Sequence, residues 1–198
     1  MGWLFATLYD RALRQSEAAG LRQWRRELLA QARGDVLEIG AGTGLNLEHY
    51  PQDVRLCLSE PDAHMRRRLL ARAGDIEVLD APAERLPLPA ASLDTVVCTL
   101  VLCSVRDPAQ CLGEIARVLR PGGRLLLIEH GLHPEPGGQR WQRWLEPVWK
   151  RIAAGCHLTR DARALLRAAG FAIEALVDDV LPKAPRFVRP AVRGLAVR

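Results

Sequence analysis

Glu38 and Glu60 flank a glycine turn, Gly40-Ala41-Gly42-Thr43-Gly44, and these residue types can do a definite kind of chemistry. Glycine accepts backbone angles that a Cβ forbids and lets a ligand lie against the main chain. A carboxylate beside such a turn repels a pyrophosphate and attracts a cation. A second carboxylate at the end of the following strand can grip both hydroxyls of a ribose. Two acids and a glycine turn therefore suit an adenosyl cation. The spacing is Gly-x-Gly-x-Gly, and the third glycine of the dinucleotide fingerprint would fall at Leu45, which argues against NAD.

Other residues could act on a substrate. His130 closes a strand whose end faces the ligand crevice, where it would serve as a general base near neutral pH or sit fixed by a backbone hydrogen bond. Trp141, Trp144/Leu145, Val148/Trp149 and Ile152 form an apolar stripe, read either as core packing or as a lid presenting tryptophans to an apolar ligand. Lys150 and Arg151 would suit such a helix to a lipid interface. The five cysteines are odd in number and hold no C-x-x-C pair, so neither a disulfide framework nor a zinc knuckle is indicated, and no metal is assigned.

The elements that must position these groups follow in order. Residues 1–34 read as a helical cap, with Leu4, Leu8, Leu13, Leu21, Trp24, Leu28 and Leu29 at helical spacing and Gly20 as a break. This amphipathic segment packs on the core or lies on a membrane surface. Val36 to Ile39 is the first strand and Leu56 to Glu60 the second. A helix from Leu45 to Tyr50 must stop at Pro51. Asp62 to Ala73 is a helix, Ile76 to Leu79 a third strand, and Ser92 to Cys103 a fourth strand with its exit loop. Asp107 to Val118 is a helix, Leu125 to Glu129 a fifth strand, and Gln139 to Ala154 a helix that Pro147 should kink. Thr159 is an N-cap for the helix ending at Ala169-Gly170. Ala172–Val177 and Val192–Val197 pair as an antiparallel edge.

The 198 residues, 48% apolar and 26% charged, are enough for one domain with a real core. A net charge of +5 is carried almost wholly by arginine. The clusters Arg22/Arg25/Arg26 and Arg66/Arg67/Arg68 read as solvated helix faces or contacts to an anionic surface. The apolar start is cut short by Asp10 and Arg11, so no targeting signal is read, and the free cysteines fit a cytoplasmic location.

The run from Glu38 to Gly44, with Glu60 after it, resembles the S-adenosylmethionine site of the class I methyltransferases. Leu119-Arg120-Pro121-Gly122-Gly123-Arg124-Leu125 resembles the same group. The resemblance implies an α/β Rossmann-like fold: a seven-stranded, mostly parallel sheet with an antiparallel edge strand and helices on both faces, spanning residues 35–198. It implies S-adenosylmethionine as cofactor, held by Glu38, Gly40, Ala41, Gly42, Thr43, Gly44, Asn46, Glu60, Pro61, Met65, Ala83, Glu84, Thr99 and Leu100. Within that set, Asn46 and the loop amides would donate to the cofactor carboxylate, helped by the following helix, and Ala83-Glu84 would hold the adenine edge, preceded here by Pro82.

Base-methylating enzymes place an acidic or amide residue, two prolines and an aromatic after the fourth strand. Cys98-Thr99-Leu100-Val101 stands there instead, so no nucleic-acid partner is expected. Cys98 to Val105, Trp144 to Trp149 with Gly155 to Arg160, and Val188-Arg189-Pro190 resemble the methyltransferase-like thiol S-methyltransferases, some of which sit on membranes. The implied function is methyl transfer to a small, apolar or lipid-like acceptor, a thiol first, with Trp144 and His157 on the substrate side and His130 as the catalytic candidate. Amine-lipid or quinone methylation is the alternative, and a non-catalytic cofactor-binding or membrane-surface module the rival class. Peripheral membrane contact is expected as an option, and nothing in the pattern specifies an oligomeric state.

Overall fold

The computed structural model describes residues 3–198, with side chains from Ala6 onward. The contribution of Leu4 to the first helix therefore lies outside the described side chains. Seven strands form one sheet: β1 (Asp35–Ile39), β2 (Arg55–Ser59), β3 (Glu77–Leu79), β4 (Leu93–Thr99), β5 (Leu119–His130), β6 (Ala172–Val180) and β7 (Pro190–Val197). Their order is β3-β2-β1-β4-β5-β7-β6. The pairs from β3 through β5 are parallel, and β7 runs antiparallel to both β5 and β6. The expected sheet is present, with β7, the reversed strand, lying one place in from the edge. The order of strands reverses direction beside β1, where open α/β sheets bind ligands.

Alternation along the central strands explains the two layers. Leu37, Ile39, Val96, Cys98, Leu125 and Leu127 face one side, under α4 (Pro108–Val118) and α6 (Ala162–Ala168). Val36, Val97, Leu126 and Ile128 face the other, under α2 (Arg22–Leu29). A strand buried on both faces is apolar at every position, which is why these runs look continuous in sequence. The remaining helices are α1 (Trp3–Ser16), α3 (Ala63–Ala73) and α5 (Pro136–Ile152). Asp62, Asp107 and Asp161 cap α3, α4 and α6 by accepting backbone N–H bonds.

Several boundaries differ from the sequence reading. The helix expected over Leu45–Tyr50 is one 3₁₀ turn, Leu47–His49; six residues between a glycine turn and a proline are too few to offset helix nucleation. Asp161, not Thr159, caps α6, because the Thr159 hydroxyl donates to Glu146 at 2.6 Å. β5 begins at Leu119 and carries the Pro-Gly-Gly segment within it, with a pairing irregularity between β4 and β5 absorbing the turn. Gly20, at φ 139°, is non-helical and kinks the chain between α1 and α2, the break expected there. α5 continues through Pro147. Among the described residues, no helix is long and apolar enough to cross a membrane.

Trp24 fixes α2 to the sheet: it is buried in the α2-side core, and the Arg193 guanidinium lies 5.0 Å from its ring centroid. Trp24→Ala is expected to cost about 3–5 kcal/mol through the cavity it leaves. Urea denaturation measures the loss, and a change below about 1 kcal/mol would mean that α2 contributes little to folding.

Candidate active site

The C-terminal ends of β1, β2 and β4 open into a cavity of about 680 Å³. Gly40 and Gly42, at φ 58° and 59°, form its floor. A Cβ on Gly40 would come within 2.8 Å of Val101, while one on Gly42 would meet only Gly40 O at 3.9 Å and the Tyr9 ring at 4.0 Å. One glycine permits close packing and the other leaves bare backbone facing the cavity. Glu60, at the end of β2, accepts from Gly42 N and Asp62 N, both at 2.8 Å. Burial raises its pKa, opposed by those two amide bonds. Each oxygen keeps a lone pair, the equipment for two vicinal hydroxyls.

Behind the floor lies a polar network with almost no access to water. Glu38 accepts from Asn46 Nδ2 at 2.9 Å and from the Tyr50 hydroxyl at 2.7 Å. Asn46 Nδ2 also donates to Thr99 Oγ1 at 3.0 Å, and its Oδ1 accepts from Arg25 Nη1 at 2.8 Å. Arg25, only 3% exposed, also pairs with Glu17 at 3.0 Å. Burial pushes the Glu38 carboxyl up to about 7, against the pull of its bonds from Tyr50 and Asn46. The network ties the helical N-terminal segment to the floor and to Thr99, which lines the cavity.

The wall beyond β4 is held by Glu129. Its Oε1 accepts from Val101 N at 2.7 Å and Leu102 N at 2.8 Å, and its Oε2 from Cys103 N at 3.4 Å. Leu100 enters this turn at φ 60°, unfavourable for a branched side chain. The bonds to Glu129 hold the backbone in that shape, so that Leu100 and Val101 line the cavity.

The residues assigned from sequence divide in two. Gly40, Gly42, Glu60, Pro61, Met65, Ala83, Glu84, Thr99 and Leu100 all line the cavity. Glu38, Ala41, Thr43, Gly44 and Asn46 do not line it. Ala41 is in the core, Thr43 donates to Asp10 at 2.5 Å, and a Cβ on Gly44 would strike Leu47 and Leu69. Asn46 is turned into the buried network rather than offered to a cofactor carboxylate, and there is no long helix behind it to lend a dipole.

The substrate-side assignments also move. His130 lines a separate cavity of about 740 Å³ bounded by β5, β6 and β7 residues. His157 does not line the cofactor cavity; its Nδ1 pairs with Glu146 at 3.1 Å. Trp144 is 70% exposed and meets Trp141 edge to face. The tryptophan stripe splits: Leu145 and Trp149 pack inward, while Trp141, Trp144, Val148 and Ile152 face out. It is neither wholly core nor a lid over the cofactor cavity.

Sequence reading missed Tyr9, Asp62, Ser104 and Arg106 in the lining, and it placed Arg25 on a solvated face. Leu21, Trp24 and Leu28 carry a helical phase that puts residue 25 on the buried side, and this signal could have found Arg25. It also missed a convergence of distant residues. Cys156 Sγ lies 2.9 Å from His130 Nε2 and accepts from Trp149 Nε1 at 3.2 Å, and Cys103 is beside it. Hydrogen bonds from Cys103, His130 and Trp149 bring the Cys156 thiol down to about 4, despite burial.

A parallel sheet with one reversed strand, a glycine floor and a ribose-type carboxylate on the second strand define a class I methyltransferase, whose cofactor is S-adenosylmethionine. Comparison agrees: residues 37–127 match the family described as "Methyltransferase domain". Thiol S-methyltransferase TMT1B of Rattus norvegicus is 36% identical, with the match covering 99% of this chain and 85% of the relative. Human thiol S-methyltransferase TMT1A is 35% identical over 82% and 70%. The crystal structure of a possible histamine N-methyltransferase from Thermotoga maritima shares the fold, with a TM-score of 0.72 at 24% identity over 98% and 95%. The chain belongs to the S-adenosylmethionine-dependent methyltransferase family that contains these thiol S-methyltransferases. The residues present fit the cofactor: a carboxylate with spare lone pairs at the ribose position, bare backbone at the glycines, and apolar surface from Pro61, Met65 and Leu100.

Two outcomes follow from this geometry. Glu60→Ala is expected to weaken cofactor binding by about two orders of magnitude, ~3 kcal/mol, with an unchanged circular dichroism spectrum; calorimetric titration giving parental affinity would remove Glu60 from the site. The folded protein holds the Glu38 proton to about pH 7, whereas the unfolded chain releases it near 4.5, so ionisation of Glu38 erodes stability as pH rises between those values. Relative to the parent, Glu38→Gln should therefore gain up to about 1.4 kcal/mol per pH unit across that window. Denaturation curves at several pH values test this, and a constant difference would mean that Glu38 titrates normally.

Proposed function

We propose that this methyltransferase transfers its methyl group to a small, apolar thiol. One observation carries the reading: every carboxylate lining the cofactor cavity is already bound to backbone amides. Glu60 accepts from Gly42 and Asp62, Asp62 from His64 and Met65, Glu84 from Arg106 and Asp107, and Asp107 from Ala109 and Gln110. Burial pushes the Tyr9 hydroxyl up to about 12, so it stays protonated and cannot accept a proton at neutral pH. A site whose carboxylates are all committed to backbone amides suits a nucleophile that ionises unaided, and a few per cent of an alkyl thiol is thiolate at pH 7. The names of the relatives support the same acceptor class.

S-adenosylmethionine brings both the methyl group and a sulfonium leaving group, so the protein's task is alignment and exclusion of water. Glu60 and the glycine floor orient the cofactor. Leu100 and Val101, locked by Glu129, form a dry wall on the side of β4. Tyr9 on α1 closes the cavity over Gly42.

The outer face of α5 favours a second element of this reading, contact with an anionic lipid surface. Trp141, Trp144, Val148 and Ile152 are exposed together, and exposed Arg140, Arg143 and Arg151 flank them. Tryptophan beside arginine on one amphipathic helix is the composition of an interfacial segment.

With a series of alkyl thiols, kcat/KM is expected to rise with pH to a plateau whose midpoint follows the pKa of each thiol. A midpoint common to every thiol would mean that the enzyme supplies the base, and transfer only to amines or quinols would overturn the acceptor class. Cosedimentation with anionic vesicles should fall about tenfold in Trp141→Ser/Trp144→Ser, the loss of ~1.4 kcal/mol of apolar contact; equal binding by both proteins would clear α5 of that role.

A further inference from the structure

Three metal-ligating side chains that the cofactor cavity does not use meet at one point. Cys103 leaves the β4 exit loop, His130 ends β5, and Cys156 lies between α5 and α6. Their ligand atoms all fall within 4.8 Å of one another, and the residues are only 3%, 5% and 7% exposed. Among the described residues this is the single group of three or more His, Cys, Asp or Glu side chains so placed.

Each member is held in place by its neighbours. Cys103 N donates to Glu129 Oε2 at 3.4 Å, and Cys103 O accepts from His157 N at 2.7 Å, which brings the Cys103 and Cys156 loops together. His130 is fixed opposite Ala191 by pairing of β5 with β7. Trp149 Nε1 donates to Cys156 Sγ at 3.2 Å, the kind of outer contact that supports a thiolate ligand.

The distances suit an ion. Zinc–sulfur and zinc–nitrogen bonds of about 2.3 Å and 2.0 Å in a tetrahedron put ligand atoms roughly 3.5–3.8 Å apart. The His130–Cys156 contact, 2.9 Å, has to open by about 0.6 Å, within the reach of small side-chain rotations. Two sulfurs and an imidazole are soft donors that favour zinc and its thiophilic neighbours over magnesium or calcium. The imidazole Nδ1 is buried and has no partner, which leaves the ring without a hydrogen bond that competes with rotation toward an ion.

We propose that Cys103, His130 and Cys156 form a three-ligand site for a thiophilic metal ion, with zinc as the reference ion, and that the fourth position is taken by water or a small ligand. The ion would join the β4 exit loop, the end of β5 and the α5–α6 connection. Ser104 and Val105 follow Cys103 and line the cofactor cavity, as do Ala153 and Ala154 just before Cys156. The site therefore braces two walls of that cavity.

The test uses the full chain, stripped with a chelator under reducing conditions and titrated with zinc or cobalt(II). About one ion per chain is expected, with a thiolate-to-cobalt charge-transfer band and protection of Cys103 and Cys156 from alkylation, mapped by peptide mass spectrometry. Cys156→Ser should bind about 100-fold more weakly or worse, whereas Cys57→Ser, outside the cluster, should bind as the parent does. Less than a tenth of an ion per chain at micromolar free zinc, or unprotected Cys103 and Cys156 in the zinc-loaded parent, overturns the proposal. Both of those readings come from the unmutated protein and do not depend on how any variant folds.

Discussion

A carboxylate buried without water, Glu129, determines the shape of the site. It stands at the end of the inner strand β5 and collects the amides of Val101, Leu102 and Cys103 as they leave β4. Removing those amides from water without partners would cost about 1–3 kcal/mol each, and an unpaired buried carboxylate would cost more. Each side makes the other tolerable. The consequence is a loop in which Leu100 adopts a left-handed conformation and projects a dry wall beside the glycine floor. One wall of the cofactor cavity and the position of Cys103 both depend on that one set of bonds.

The same device recurs around the molecule. Glu60 gathers the amides of Gly42 and Asp62, Glu84 those of Arg106 and Asp107, and Glu146 those of Leu158 and Thr159. Acids in this chain set loop shape by hydrogen bonding, and this decides what chemistry remains. Amide bonds favour the charged form of a carboxylate, and in Glu60 they oppose the rise that burial causes. The same bonds that order these loops commit the carboxylate oxygens to the backbone.

Much of the fold was readable because its signals are local. Apolar runs on β1, β4 and β5, the glycine turn, and the helix starts at Asp62 and Asp107 each act within a few residues. Glu60 was readable for the same reason, since a strand-terminal carboxylate is a local feature. What was not legible was direction. Asn46 and Glu38 lie beside the floor but turn toward Arg25 and Tyr50, because a buried amide and carboxylate must satisfy one another before they serve a ligand. His130, His157 and Trp144 were placed by their neighbourhood in the chain, and their partners are Cys156, Glu146 and Trp141; only the last shares a helical spacing with its partner. The Cys103–His130–Cys156 convergence was hidden because each residue comes from a separate segment, and only the β4–β5 pairing and the α5–α6 connection bring them together.

The division of labour in the chain explains how this fold can keep its cofactor chemistry while the acceptor varies. The strand ends and their exit loops hold groups that line the cofactor cavity, and they are constrained from below by the core and from behind by the Arg25–Asn46–Glu38 network. Tyr9 on α1 and Ala153–Ala154 after α5 reach the same cavity from elements that pack on the periphery. Change in α1 or α5 would alter that lining without disturbing the backbone of the glycine floor. α5 carries a further demand, because its inner face is anchored by Gln142, whose amide bonds Gly131, His133 and Phe187. That buried amide leaves one orientation for the helix, with Trp149 against Phe187 and Cys156 and with Trp141 and Trp144 in solvent. The outward tryptophans are thus a consequence of how α5 is seated, and their exposure is as firmly specified by hydrogen bonding as the floor of the cofactor site.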